Sequence, residues 1–131
     1  MDILLDTHAF MWFVNGDPSL AKKAKEVIES TDNQRFLSVA SLWEMAIKIN
    51  IGKLSLSQPY HLVKQQIEDN DIELLPIEFD HTLQFVSLPL HHRDPFDRLI
   101  IAQAMTEAMT VITKDENFKH YPIEIVWRHE G

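Results

Sequence analysis

Five acidic residues sit where apolar segments of this chain begin or end, and carboxylates gathered from such places can hold a divalent cation. Asp6 follows the run Ile3 to Leu5, Glu44 lies early in the segment after Phe36 to Val39, Asp94 and Asp97 open the stretch RDPFDRLIIAQA, and Asp115 follows Thr110 to Thr113. Each has an ordinary use on its own. Asp94 with Asp97 reads as a capping pair, Glu44 completes a box with Ser41, and Asp6 and Asp115 read as helix caps. Taken together that account weakens, because serine, threonine and asparagine cap as well and bring no charge. Carboxylates collected at one edge repel one another and retain protons unless a cation neutralises them. A hard, oxygen-preferring ion such as Mg²⁺ or Mn²⁺ suits that role. With no cysteine, and with the seven histidines scattered rather than spaced as ligands, zinc fits less well.

The elements that must position these acids are legible from apolar periodicity. Short apolar runs predict strands at Ile3 to Leu5, Phe36 to Val39, Ile72 to Pro76, Thr110 to Thr113 and Ile123 to Trp127. Between them, helical spacing predicts a short apolar helix from Thr7 to about Asn15, an amphipathic one through Leu20, Ala24, Val27 and Ile28, and one opened by Ser41-Leu42-Trp43-Glu44 and stopped by Gly52. A further helix begins at Pro59, a short one spans Glu78 to Val86, and the longest starts at Pro95 behind Asp94. On that last helix Leu99, Ile100, Ala104 and Ala108, with Ile101 and Met105 beside them, predict one wide buried face. Strands alternating with helices indicate an α/β layer fold with a mainly parallel sheet, whose chemistry collects at the carboxyl ends of the strands. The acids lie at that edge.

Length and composition narrow the class. At 131 residues the chain is read as one domain, long enough to bury a core without disulfides or a structural metal. The lack of cysteine fits a reducing cytoplasm, no apolar run approaches a membrane span, and no signal-peptide pattern follows Met1, so a soluble cytoplasmic protein is expected. Twenty acidic against twelve basic residues give a formal charge of −8, which argues against a sequence-independent nucleic-acid binder. It does not argue against a metal-dependent enzyme acting on phosphates, since a bound cation reverses the local field.

Four blocks, ILLDTHAFMW, SLWEMAIK, RDPFDRLIIAQA and VITKDENF, follow in that order along essentially the whole chain. In combination they resemble the PIN-domain ribonucleases, specifically the VapC-type toxins of bacterial and archaeal toxin–antitoxin modules. The resemblance implies a single PIN domain over residues 1–131, a three-layer α/β/α arrangement with a mainly parallel sheet of about five strands. It implies an endoribonuclease that hydrolyses RNA phosphodiester bonds with one or two Mg²⁺ or Mn²⁺ ions, leaving 5′-phosphate and 3′-hydroxyl ends. The family's acidic quartet falls on Asp6, Glu44, Asp97 and Asp115, with Asp6 and Asp97 the strongest direct ligands and Asp94 an auxiliary acid. Thr7 matches the hydroxyl residue that often follows the first aspartate. The implied partners are RNA, a cognate antitoxin whose C-terminal segment covers the groove, and a second copy in a homodimer, with no membrane.

Near these acids, Thr7, Arg98, Lys48, Lys114 and Thr113 are candidates for contacting the substrate, while Lys53 reads as solvated charge. Lys48 has an alternative use as the i,i+4 partner of Glu44, and Thr113 and Ser41 as local hydrogen bonders. His91 and His92 precede Asp94 but are assigned no role, because an activated water needs no histidine. Phe10, Met11, Trp12, Phe13 and Trp43 are read as core or protein interface before base-stacking surface. Two rival readings are a catalytically silent PIN scaffold and a Mg²⁺-dependent phosphoacceptor receiver domain. The receiver reading is disfavoured because Pro76-Ile77, not an aspartate, follows the third strand.

Overall fold

The computed structural model describes residues 1–128. Strands β1 (Asp2–Leu5), β2 (Gln34–Ser38), β3 (Ile72–Leu75), β4 (Thr110–Ile112) and β5 (Ile125–Val126) form one sheet in the order β3-β2-β1-β4-β5. Every pairing is parallel, with Leu5 opposite Leu37 on one side and Ile112 on the other. A receiver-type sheet of order 2-1-3-4-5 would place β3 beside β1, so the topology excludes that rival.

Side-chain alternation divides the core in two. Ile3 and Leu5 of β1 point to one face, where they pack with Phe10 of helix α1 (Thr7–Asn15), Ala24 and Ile28 of α2 (Lys22–Glu29), Met45 of α3 (Val39–Asn50) and Ile67 of α4 (Val63–Asp69). Leu4 points to the other, against Ile100, Ile101 and Ala104 of α6 (Pro95–Glu107), with Leu75, Val111 and Phe118 around it. Helix α5 (Phe79–Val86) packs mainly on α6, joined through buried His81, whose Nε2 lies 2.7 Å from Glu107 Oε2. The result is the expected three layers.

Several boundaries moved for local reasons. Helix α3 starts at Val39 because Ser38, not Ser41, caps it, its hydroxyl accepting from the Ala40 N–H at 3.0 Å. Ser41 and Glu44 are therefore interior helix residues, both buried, rather than a capping box. The segment from Pro59 begins as a 3₁₀ turn (Tyr60–Leu62) before α4. Helix α6 is buried over more than one face, taking in Arg98, Ala102 and Gln103, whereas Ala108 is exposed and ends the helix in the left-handed region at φ 55°. The buried Gln103 clips α6 to the end of β2 and to the residue after β3, accepting from the Ser38 hydroxyl at 2.5 Å and donating to the Pro76 carbonyl at 3.2 Å. Those contacts set where the acidic start of α6 meets the sheet.

Candidate metal centre

The chain leaves β1 toward β2 and later returns on its other side at β4, so a crevice opens at the carboxyl ends of β1 and β4. Asp6 enters it at the end of β1. Its N–H donates to the Ile112 carbonyl at 3.1 Å, and its Oδ1 caps α1 by accepting from the Ala9 N–H at 2.8 Å. Burial pushes the Asp6 carboxyl above its ordinary range and Asp115 adds to that, while hydrogen bonds from Thr113 and Ala9 and the charge of His8 act against it. Thr113, fully buried just beyond β4, also accepts from the Asp115 N–H at 3.0 Å. One hydroxyl thus holds two of the acids in place.

Asp97 reaches the same crevice from the first turn of α6. Asp94 caps that turn through Oδ1, accepting from the N–H groups of Phe96 (2.8 Å) and Asp97 (3.2 Å). The Asp94 N–H is engaged by His92 Nδ1 at 3.2 Å, so Asp97 does not close a reciprocal box and its carboxylate faces the other acids. Burial, then the negative charges of Asp94, Asp6, Glu44 and Asp115, push the Asp97 carboxyl up to about 8. Asp115, at the turn into the 3₁₀ segment Glu116–His120, caps it by accepting from the Asn117 N–H at 2.9 Å.

A histidine joins this group. His92 is buried, and its Nε2 lies 2.7 Å from Asp115 Oδ2 and 3.2 Å from Asp97 Oδ2. The ligand atoms of His92, Asp97 and Asp115 all fall within 4.8 Å of one another. Asp6, His8, Trp12, Asp97, Lys114 and Asp115 line an open cleft of about 390 Å³ over them.

Glu44 stands to one side. It is buried in a smaller hollow of about 110 Å³ shared with Thr7, Lys48 and Lys53, with Oε1 accepting from the Thr7 hydroxyl at 2.7 Å and Oε2 paired with Lys48 Nζ at 2.6 Å. The Thr7 and Ser41 hydroxyls lie 2.9 Å apart beneath it. Its charge still raises Asp97, so the two carboxylates share one electrostatic environment.

Among the residues expected to meet the substrate, three are corrected as buried: Thr7, whose hydroxyl donates to Glu44; Arg98; and Thr113. Arg98 is buried, its guanidinium donating to the carbonyls of Pro89 (3.1 Å) and His92 (3.0 Å) beneath the Phe85 ring, so it braces the loop before α6 instead of facing solvent. Thr113 is likewise buried, its hydroxyl bonded to the Asp6 carboxylate and accepting from the Asp115 N–H. Lys48 takes its alternative role beside Glu44, whose hydrogen bond pushes the ammonium above its ordinary range. Lys114 does face the cleft, 6.0 Å from the centre of the Trp12 ring. His92 is the residue that sequence reasoning passed over. Its proximity to Asp94 was the available signal, but its distance from Asp115 was not readable.

A description of the PIN domain matches residues 3–124 of the chain. Ribonuclease VapC22 of Mycobacterium tuberculosis is 28% identical over 122 residues, which cover 91% of each protein. Among solved structures, VapBC2 from Rickettsia felis, bound to a DNA fragment from its promoter, superposes with a TM-score of 0.70 at 17% identity, covering 98% of this chain and 100% of that one. VapBC-5 from Mycobacterium tuberculosis, a member of the VapBC toxin–antitoxin family, gives 0.62 at 22% identity, covering 97% and 98%.

Proposed function

Because the chain belongs to the PIN-domain family, we propose that it is a divalent-metal-dependent endoribonuclease, the toxin half of a toxin–antitoxin pair, working in the cytoplasm as a single PIN domain. The observation that carries this reading is the convergence of Asp6, Asp97 and Asp115 on one cleft, with the Asp97 proton held to about 8 by burial and like charge. A donor set short of positive charge and built of hard oxygens fits Mg²⁺ or Mn²⁺. Asp97 and Asp115 would hold the ion with Asp6, and Glu44 and Asp94 would add negative charge nearby. When bound, the ion supplies Lewis-acid stabilisation of charge on phosphate oxygens and makes water a better nucleophile.

The chain's own residues do the rest. The Thr113 hydroxyl ties the Asp6 carboxylate to the Asp115 backbone N–H, and Thr7 holds Glu44. Lys114 borders both the acidic cleft and an adjoining trough of about 720 Å³ that Lys23 and Arg128 also line, together with Lys119 paired to Glu116 at 2.6 Å. An RNA backbone entering the cleft would pass those cations, which explains how a chain of charge −8 can accept a polyanion. An antitoxin segment and a second copy of the chain are the proposed protein partners. Among the described residues no helix is long and apolar enough to cross a membrane.

The deciding experiment is incubation of antitoxin-free protein with labelled cellular RNAs in Mg²⁺ or Mn²⁺, beside EDTA and an Asp6→Asn, Asp97→Asn double variant. Cutting that needs metal and is absent from the folded variant supports the reading. A folded, Mn²⁺-binding wild type that cuts neither tRNA nor rRNA would overturn it.

A further inference from the structure

We propose that His92 is a positioning residue of the metal centre: a hydrogen-bond bridge from its Nε2–H ties Asp115 to Asp97 and sets the spacing at which the two carboxylates receive a cation. The inference rests on the reading above that these two acids hold the ion.

The position of the ring proton follows from its neighbours. The Asp94 N–H donates to Nδ1 at 3.2 Å. A nitrogen that accepts a backbone N–H carries no proton itself, so the proton sits on Nε2. From there it meets Asp115 Oδ2 at 2.7 Å and Asp97 Oδ2 at 3.2 Å. The same contact argues against His92 as a ligand through Nε2, because that would move the proton to Nδ1 and oppose it to the Asp94 N–H. The ring is otherwise fixed: it stands edge-on to Phe118 at 5.6 Å, the His92 N–H donates to the Tyr121 hydroxyl at 2.9 Å, and its carbonyl accepts from Arg98. Phe118 and Tyr121 belong to the segment after β4, and Arg98 to α6. His92 therefore sits at the seam between the two elements that carry Asp115 and Asp97, anchored to both. Partners that orient the carboxylates and imidazoles of a metal site commonly account for 10- to 100-fold in affinity.

The test is Mn²⁺ binding, followed by the electron paramagnetic resonance of the free ion, for wild type, Asp97→Asn and three His92 variants. His92→Phe keeps a ring against Phe118 without donor or acceptor, His92→Asn keeps an acceptor for the Asp94 N–H but does not reach the acids, and His92→Gln restores a donor at longer reach. We expect Mn²⁺ to bind about 10- to 100-fold more weakly to the Phe and Asn variants and to recover in part in the Gln variant. In ¹⁵N-labelled metal-free wild type the proton should reside on Nε2, a readout that stands even where a variant fails to fold. Unchanged or tighter Mn²⁺ binding by folded His92→Phe, or a proton on Nδ1, overturns the inference while leaving the metal reading intact. A wild type that binds no Mn²⁺ overturns both.

Discussion

The two halves of the acidic cluster handle the same charge in opposite ways. Glu44 is buried, yet its carboxylate is balanced within the fold by the Lys48 ammonium at 2.6 Å and the Thr7 hydroxyl at 2.7 Å. Asp97 is partly buried, and among the described residues the nitrogen recorded within ion-pair distance is His92 Nε2, with no lysine or arginine. Its carboxyl is accordingly driven up to about 8. A buried carboxylate left without a cation costs stability, and a fold retains that cost where a ligand can supply the charge. On the proposed reading the Asp97 side of the cluster takes the ion, and the Glu44 side is a preformed support held by Lys48 and Thr7.

The sharpest way to break this contrast is Asp97→Asn. Cleavage of cellular RNA should fall at least about 100-fold, since the substitution removes a ligand of the Lewis acid, while the metal-free protein becomes more stable above pH 8. Thermal unfolding with and without Mn²⁺ reads the second effect. Should the variant be less stable than wild type at high pH, Asp97 is not the uncompensated charge.

A pH series on the metal-free wild type comes next. Asp97 is raised in the folded state, so the folded protein binds more protons than the unfolded chain between the ordinary value of 3.8 and about 8. Its contribution is complete below that window and is lost as pH rises through it, on the order of 5 kcal/mol in all. Asp6, also raised, acts in the same direction. Saturating Mn²⁺ should flatten the decline, because the ion binds the deprotonated site. Denaturant unfolding at pH 5, 7 and 9 measures this, and equal slopes with and without Mn²⁺ would refute it.

On the other side of the cluster, Lys48→Met strands the Glu44 carboxylate and should destabilise by about 2 kcal/mol. Adding Glu44→Gln should recover most of that loss, and a double-mutant cycle at pH 7 tests the coupling. Additive effects would mean that the pair is an exposed one of little consequence. Arg98→Lys should cost about 1–2 kcal/mol through loss of the forked contacts to the loop carbonyls. Lys114→Ala is the mildest change, raising KM for RNA roughly threefold, with a salt dependence shallower by about one counterion and no change in melting temperature. The two basic residues thereby separate bracing from substrate contact, which their neighbouring positions in the motifs did not.

Much of the architecture could be read before any coordinates. The apolar runs marked all five strands, Asp94-Pro95 marked the start of α6 to the residue, and α1 ends at Asn15 as anticipated, closed by Gly16 at φ 63°. The start of α3 was misplaced because Ser38 and Ser41 are equally good caps locally; β2 runs to Ser38, whose hydroxyl takes the Ala40 N–H, while Ser41 lies inside the helix beside Thr7. The aromatic cluster divided in a similar manner: Phe10 is core, Trp12 borders the cleft, and Trp43 is exposed. Near-identical hydrophobicity at helical spacing does not say which neighbour a ring will meet.

Residue type and local periodicity were enough to specify the class of fold and the acids at strand and helix ends, because each depends on a few adjacent residues. Which acids would share a cleft depended instead on parallel register, which places Leu5 beside Ile112 and so Asp6 beside Thr113 across more than a hundred residues of chain. The charge state of Asp97 depended on four carboxylates brought near it by burial, the confinement of Arg98 on three loop carbonyls, and the position of His92 on two elements distant in sequence. Distance and desolvation set these properties, and both exist only once the layers have packed.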